Sequence, residues 1–306
     1  MARTDMFVTK QPGGKFIVKN EAMTTGDVLF VNSSGGTDGP GRGRNPDAPL
    51  ASLAYAGLLA NAMCTVNQCD IIFLMPGHAE TINGAAGAMA LDTAGISIIG
   101  LGEGALRATL TFDTDIGAII TIDAANIRIV NVVFSANEAD ITTAIDVNAD
   151  DFTLSHCRFQ ATAANMNFLI TVQDAAAGGS DRITIEDCYY LDRDASNTDF
   201  ISMEGTGDGH IVRRNIIFGD FGNICIGGAG AVTNVLIADN YISNASNVND
   251  SCIDVAAATN GIVVRNLCCG VAVQANGVTA TACTIGENYY GVIGEELSAI
   301  LDPPNA

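Results

Sequence analysis

Between residues 192 and 214 the chain gathers five carboxylates and four basic side chains: Asp192, Asp194, Asp199, Glu204 and Asp208 beside Arg193, His210, Arg213 and Arg214. Glycoside hydrolysis needs two carboxylates flanking one bond, one to protonate the leaving oxygen and one to activate water or attack directly. If the chain is an enzyme, Asp194, Asp199 and Asp208, with His210, are the acid/base candidates. The same residue types also build turns, because Asp, Asn and Gly satisfy turn backbone locally. The stretch GTGDGH at 205–210 reads first as such a turn. A second set, Asp123, Asp146 and Asp151, offers oxygen ligands of the kind Ca²⁺ takes. Proton abstraction beside a uronate would also need a basic groove, and a net charge of −20 argues against a polyanionic substrate. No His or Cys spacing fits a zinc site. The expectation is therefore no metal, no cofactor, and a leaning away from catalysis, with a carbohydrate-active hydrolase as the alternative.

These residues ride on a repeat. Segments beginning at Ile96, Ile127, Phe152, Ile183, Ile211, Val235, Ile262 and Cys283 share an apolar–x–apolar start, broken only by Arg213 in the fifth of them. The fifth position of each reads Gly100, Asn131, His156, Asp187, Asn215, Asp239, Asn266 and Glu287. From the second segment on, the eighth position reads Phe134, Phe159, Tyr190, Phe218, Ile242, Cys269 and Tyr290. A second run, such as Ile145-Asp146-Val147 or Ile170-Thr171-Val172, follows 18 residues after the first in four of the repeats. Alternation of period two with β-branched residues means strands, and a unit too small to bury its own face must stack on its neighbours. The eighth-position aromatics are expected as an internal ladder. Asn131, Asn215 and Asn266 are expected at a recurring bend, with His156 beside them in the same role. The face of Thr121, Asp146, Thr171, Ser202 and Asp254 is a ladder of small polar groups that could bind glycan.

With those repeats in view, the chain resembles the right-handed parallel β-helix proteins of the pectin-lyase-like superfamily, over about residues 27–290. The stretch at 28–56 resembles the strand, Gly/Asp-rich loop and capping helix that open many of them, and CDIIFLMPGHAETI at 69–82 resembles the first coil, which gives His78 and Glu80 a structural role. The resemblance implies an all-β solenoid of about eight or more coils. Polygalacturonase-like members carry a Gly-His-Gly segment among several Asp residues; here Ile211 follows His210, so the match at that site is poor.

The expected organisation is an extended arm at 1–26, then strand, loop and capping helix at 27–68, a parallel β-helix at 69–290 and a tail at 291–306. The helix is expected over 49–63, capped by Asp47. Charge is uneven: residues 1–46 hold six basic and four acidic groups, residues 47–306 eight and 30. An acidic body repels nucleic acid and anionic membrane, while Lys10, Lys15 and Lys19 suit docking of the arm on an acidic partner. No leader or membrane-spanning run is read in the sequence. Nine cysteines do not suggest a disulfide framework; Cys157 and Cys188 are expected to stack in the core, and Cys64 and Cys69 could pair. Outward apolar residues Ile99, Val130, Val212, Leu236 and Val263 are expected to be covered by self-association. Rod-like virion proteins of this fold often stand as trimers. The resulting expectation is a non-enzymatic structural protein of a phage-type virion surface, made in the host cytoplasm and present as a homotrimer. It would be anchored to a coat or tail protein, possibly touching surface glycans, with polysaccharide depolymerase or glycan binder as the alternative.

Overall fold

A computed structural model describes residues 26–56, 70–84, 89–174, 179–192, 194–245, 251–271, 277–292 and 298–301; the side chains of 271, 292 and 298–301 are outside the description. Lys10, Lys15, Lys19, Cys64, Cys69 and Arg193 fall outside the described residues, so the arm and the Cys64–Cys69 pairing do too.

The strands form three sheets of ten, ten and eight strands, each paired with its equivalent one coil away. Sheet A runs from Val28–Val31 to Thr284–Gly286, sheet B from Ala79–Asn83 to Ser298–Leu301, and sheet C from Met89–Leu91 to Val278–Thr279. From Ile71–Leu74 to Asn288–Val292 the described strands pass through A, B and C in turn and return to A. The pairing is parallel throughout, except that Ser298–Leu301 lies antiparallel on Asn288–Val292 at the end of sheet B. The molecule is a parallel β-solenoid of about eight turns, the all-β coil expected from the repeats. The sequence pattern gives two strands per coil; the structure has three, because the left-handed fifth position bends the first run into sheet A and a separate short strand of sheet B.

One core runs the length of the solenoid. In sheet A it takes Ile98, Ile129, Leu154, Ile185, Val212, Ile237 and Val263, which are register partners on successive coils. Phe134 and Phe159 stack 4.8 Å apart at 16°, the coil-to-coil spacing of paired strands. Phe168 and Phe200 meet that stack edge-on, an arrangement the ring quadrupole favours. Cys157 and Cys188 are buried core residues, as expected.

The register differs from the sequence reading in two coils. Ile211 and Ile262 are not the inward starts of their strands: Ile211 pairs with Thr184 and Leu236 on the outer face, and Ile262 is 46% exposed. His210 and Gly261 take those starts instead, which also explains why Arg213 seemed to break the pattern. Val212 and Val263 therefore face inward and are fully buried, so they cannot form an outer interface. Ile99, Val130 and Leu236 do face outward and are half-buried. The bend positions in these coils are Arg214 (φ 55°) and Arg265 (φ 54°), alongside Asn131, His156, Asp187, Asp239 and Glu287, all left-handed. Asn215 and Asn266 sit one residue later and point inward. Likewise Ile217 and Cys268, not Phe218 and Cys269, continue the internal column of Phe134, Phe159 and Tyr190. The cause is that these coils carry apolar residues on both faces, so period two alone cannot say which face is inside.

The inward asparagines form a ladder. Asn215 Nδ2 donates to Asn240 Oδ1 (3.0 Å), Asn240 Nδ2 to Asn266 Oδ1 (2.9 Å), and Asn266 Nδ2 to Asn288 Oδ1 (3.0 Å). Each backbone N–H donates to the next Oδ1 as well. The second Nδ2 hydrogens go to Ile185, Val212, Ile237 and Val263 carbonyls. All four residues are buried, and this pairing removes the cost of burying an amide.

At the N-terminal end a helical turn covers residues 53–56; the rest of the expected helix lies outside the description. Its cap is Ser52, whose Oγ accepts from Tyr55 N (3.1 Å), rather than Asp47. Glu80 accepts from Leu53 N and Ala54 N, and His78 bonds Ser33 N and faces Glu80 at 3.2 Å. Both therefore hold the first coil to its cap.

Candidate functional site

The acid/base candidates do not converge. Asp194 lies in the corner between sheets B and C, where its carboxylate caps Ser196 N (2.9 Å). Asp199 begins the sheet C strand Asp199–Met203 and is buried. Burial pushes its carboxyl up to about 6, against hydrogen bonds from Ile224 N and Asn223 Nδ2. Asp208 lies past the far end of that strand, which alone spans ~13 Å at 3.3 Å per residue. That exceeds the roughly 5–9.5 Å between the carboxyls of a glycosidase pair. Asp208 is also committed: it accepts from the Thr233 hydroxyl and the Asn234 amide (2.7 Å), which hold its carboxyl below the usual range. His210 is turned into the core, 3.5 Å from the equally buried Asp174, and takes Ile183 N on Nδ1. Asp194 and Asp208 thus bond turn backbone and side chains, while Asp199 starts a buried strand.

The corner carboxylates cap coils. Asp150 accepts from Asp181 N, and Asp181 from Asp208 N, one coil after another. Arginines clamp the same corners. Arg182 grips Asp151 through Nε and Nη2, Arg214 grips Asp187, and Arg265 grips Asp239. In each pair both residues occupy left-handed positions on adjacent coils. Hydrogen bonds from these arginines lower the carboxyls of Asp151, Asp187 and Asp239. Asp123 and Asp146 are bridged by the Asn148 amide, while Asp151 is taken by Arg182. Among the described residues no three or more His, Cys, Asp or Glu side chains are grouped to hold a metal.

An open hollow of about 390 Å³ lies on the corner between sheets A and B, lined by Glu103, Arg107, Asn131, His156, Asp187 and Tyr189 among others. That volume is within the ~300–1,000 Å³ of ligand sites. One wall is the loop leading into the short 3₁₀ turn Gly104–Leu106. The loop is fixed: Asn131 Nδ2 donates to Gly100 O (2.8 Å) and Gly102 O (3.0 Å), and Arg107 Nη2 donates to His156 O. A Cβ on Gly102 would sit 1.7 Å from Leu106 O, so the close turn needs glycine there. The column of left-handed residues also lines it, and there His156 (φ 56°) precedes Asp187 (φ 54°) by one coil. Glu103 and His156 are both exposed, and neither side chain makes a hydrogen bond or ion pair with the described residues. Asp187 is held by Arg214, and His156 is near enough to help keep that carboxyl ionised.

Tyr189 joins the hollow to a row of outward rings on sheet B. Arg158 Cζ lies 5.3 Å from its centroid, Phe218 is 5.9 Å from Tyr189, and Tyr241 is 5.4 Å from Phe218. Ile216, Tyr289 and Leu191 add exposed apolar surface to the same face. This row escapes a sequence reading that places Phe218 inside. Glu103 has a faint sequence signal, a lone charge between glycines in GLGEGAL; His156 is visible only as a bend residue.

No protein-family profile matches the chain, and no curated protein matches it in sequence. Two solved structures are similar in overall course. A rhamnogalacturonan lyase is 12% identical with a TM-score of 0.42, covering 90% of this chain and 65% of that one, so this chain spans just under two thirds of its length. A GH136 lacto-N-biosidase from Eubacterium ramulus is 10% identical with a TM-score of 0.32, covering 87% and 68%.

Proposed function

We propose that this β-helix binds a neutral glycan on its outer wall, with the corner hollow as the principal subsite and the Tyr189–Phe218–Tyr241 row extending it. The observation that carries this reading is a ligand-sized hollow holding an uncommitted carboxylate, an uncommitted imidazole and a tyrosine, continued by rings on adjacent coils. Hydroxyls of a sugar suit mixed donors and acceptors, and its C–H faces suit aromatic surface. The net charge of −20 disfavours polyanions, which makes a neutral chain the favoured class. Titration calorimetry of the whole protein against neutral oligosaccharides tests this. Tyr189→Ala should weaken binding roughly tenfold, whereas Tyr55→Ala, at the cap, should not. A panel on which no neutral glycan binds, or a Tyr189→Ala variant that binds as well as the parent, would sink the reading.

A second reading has its own observation. Ile211, Leu236 and Ile262 stand in register on the outside of sheet A, and Ile262 is exposed. That row fits self-association; this reading adds a trimer in a particle-surface component whose arm, through Lys10, Lys15 and Lys19, docks on a coat or tail protein. Light scattering tests the first part: a monomer at every concentration would remove it. Fixed stoichiometry with a coat or tail protein in purified particles would establish the second, and a chain found only in the soluble fraction would refute it.

A further inference from the structure

We propose that the outer face of sheet B holds an extended, neutral β-1,4-linked glycan laid along the solenoid axis, one sugar to each coil. This rests on the glycan-binding reading above and names its substrate class. The argument begins with register. Tyr189, Ile216, Tyr241, Leu267 and Tyr289 pair each with the next on successive coils. Their chain neighbours Tyr190, Ile217, Ile242, Cys268 and Tyr290 are buried, so the column itself stands outside. A tyrosine thus recurs in every second coil, with Ile or Leu between. Paired strands lie ~4.8 Å apart, which puts successive tyrosines of the column ~10 Å apart and gives the whole column ~19 Å. The second outward column of the face, Leu191, Phe218, Ser243 and Cys269, is likewise in register. Neither column contains Asp, Glu, Lys, Arg or His, on a chain of net charge −20.

That period selects a class of ligand. A β-1,4 link between equatorial positions carries a sugar chain straight, each sugar advancing by about one strand spacing and turned over relative to the one before. The same face therefore recurs every second sugar, as the tyrosine does every second coil. An α-1,4-linked chain coils and falls out of step with the column. An uncharged face also pairs with an uncharged chain, since a charged ligand would give up hydration there without a counter-charge. Each tyrosine supplies a ring and a hydroxyl to one repeat, and Ile216 and Leu267 supply apolar surface between. Ile216 and Tyr289 are 44% and 47% exposed. The face is continuous with the hollow, which Tyr189 also lines. Arg158 closes the column at that end: it is the register partner before Tyr189, and its guanidinium carbon lies 5.3 Å from the ring centroid. One sugar per coil from Tyr189 to Tyr289 makes a site of about five sugars.

The test is titration calorimetry of the whole protein with β-1,4-linked glucan and mannan oligosaccharides of increasing length, and with α-1,4-linked glucans of the same lengths. Affinity in the β-1,4 series should rise to about five sugars and then level, with the α-1,4 series roughly tenfold or more weaker at that length. Tyr289→Ala should weaken a pentasaccharide roughly tenfold and leave a disaccharide, held at the Tyr189 end, unchanged. The paired exchange Ile216→Tyr with Tyr241→Ile keeps the apolar area but moves one ring by a coil. It should weaken the pentasaccharide as much as Tyr241→Ala does, and unchanged melting of these surface variants excludes misfolding. Neutral glycans that bind without regard to length or linkage, or binding that survives the exchange, overturn the inference and leave the binding reading standing. A parent dimer that Tyr289→Ala makes monomeric gives the face to a second copy and overturns the inference as well. Failure of every neutral glycan to bind overturns both.

Discussion

The coils before Arg214 and those after it trace the same ring, yet they fill the same corner by different means. In the earlier coils the sixth position holds Val132, Cys157 and Cys188, and the inner column of sheet B holds Leu110, Phe134, Phe159 and Tyr190. In the later coils the sixth position holds Asn215, Asn240, Asn266 and Asn288, and the inner column narrows to Ile217, Ile242 and Cys268 before Tyr290. The rings reappear outside, as Phe218, Tyr241 and the exposed Tyr289. One half is held by packed rings and dispersion, the other by a continuous amide ladder. The backbone course is thus compatible with either, and side-chain chemistry decides only what each half contributes to the outer surface.

The largest effect should come from breaking the ring stack. Phe159→Ala is expected to destabilise by about 4 kcal/mol, since a buried ring is lost and the strands on either side limit collapse. Denaturant unfolding measures it; a loss below ~1 kcal/mol would mean the stack does not carry the first half. Asn240→Ala, mid-ladder, should cost roughly 3 kcal/mol, because Asn215 N and Nδ2 and Asn266 Oδ1 lose partners where water cannot replace them. Asn288→Ala, at the last rung, should cost less; equal losses would show that the rungs act independently of their place in the ladder.

Asp199 probes the junction of the two halves. Burial pushes its folded carboxyl up to about 6, above the ordinary carboxylate range, so folding takes up a proton between that range and about 6. The associated stability is fully present below about pH 4 and is lost as pH rises through 6. Relative to Asp199→Asn, the parent should lose roughly 2–3 kcal/mol across that window. Thermal melting at pH 4 and pH 7.5 checks the sign, and a parent that gains on the variant as pH rises would contradict it. The smallest change is expected from Arg265→Gln, which removes an exposed clamp on Asp239. It should lower the melting point slightly at low salt and not at all in molar salt.

Much of the solenoid is visible in the chain itself. Ile127, Ile129, Phe152, Leu154, Ile183 and Ile185 alternate cleanly against polar neighbours, and their inward placement follows. Ile211 and Ile262 mislead because both faces of their strands are apolar, and the inward residue before each is His210 or Gly261, neither of which looks like core. The left-handed bend was hidden by its tolerance: Asn, His, Asp, Arg and Glu all occupy it, so composition does not mark it. The acidic cluster at 192–208 stands out in sequence because turns need carboxylates to cap successive coils. The hollow does not stand out, since Glu103, Asn131, His156 and Asp187 come together only when four coils are stacked.

The asparagine ladder also bears on how such a chain can change length. Every internal rung offers the same acceptor to the coil before it and the same donors to the coil after it. A duplicated coil carrying one asparagine could enter between Asn240 and Asn266 and find both neighbours already complementary. A coil inserted among Phe112, Phe134 and Phe159 would have to fit the particular tilts of those rings and of Phe168, which meets two of them edge-on. Growth by tandem duplication is therefore easiest in the second half, and each added turn would lengthen the outer face next to the hollow.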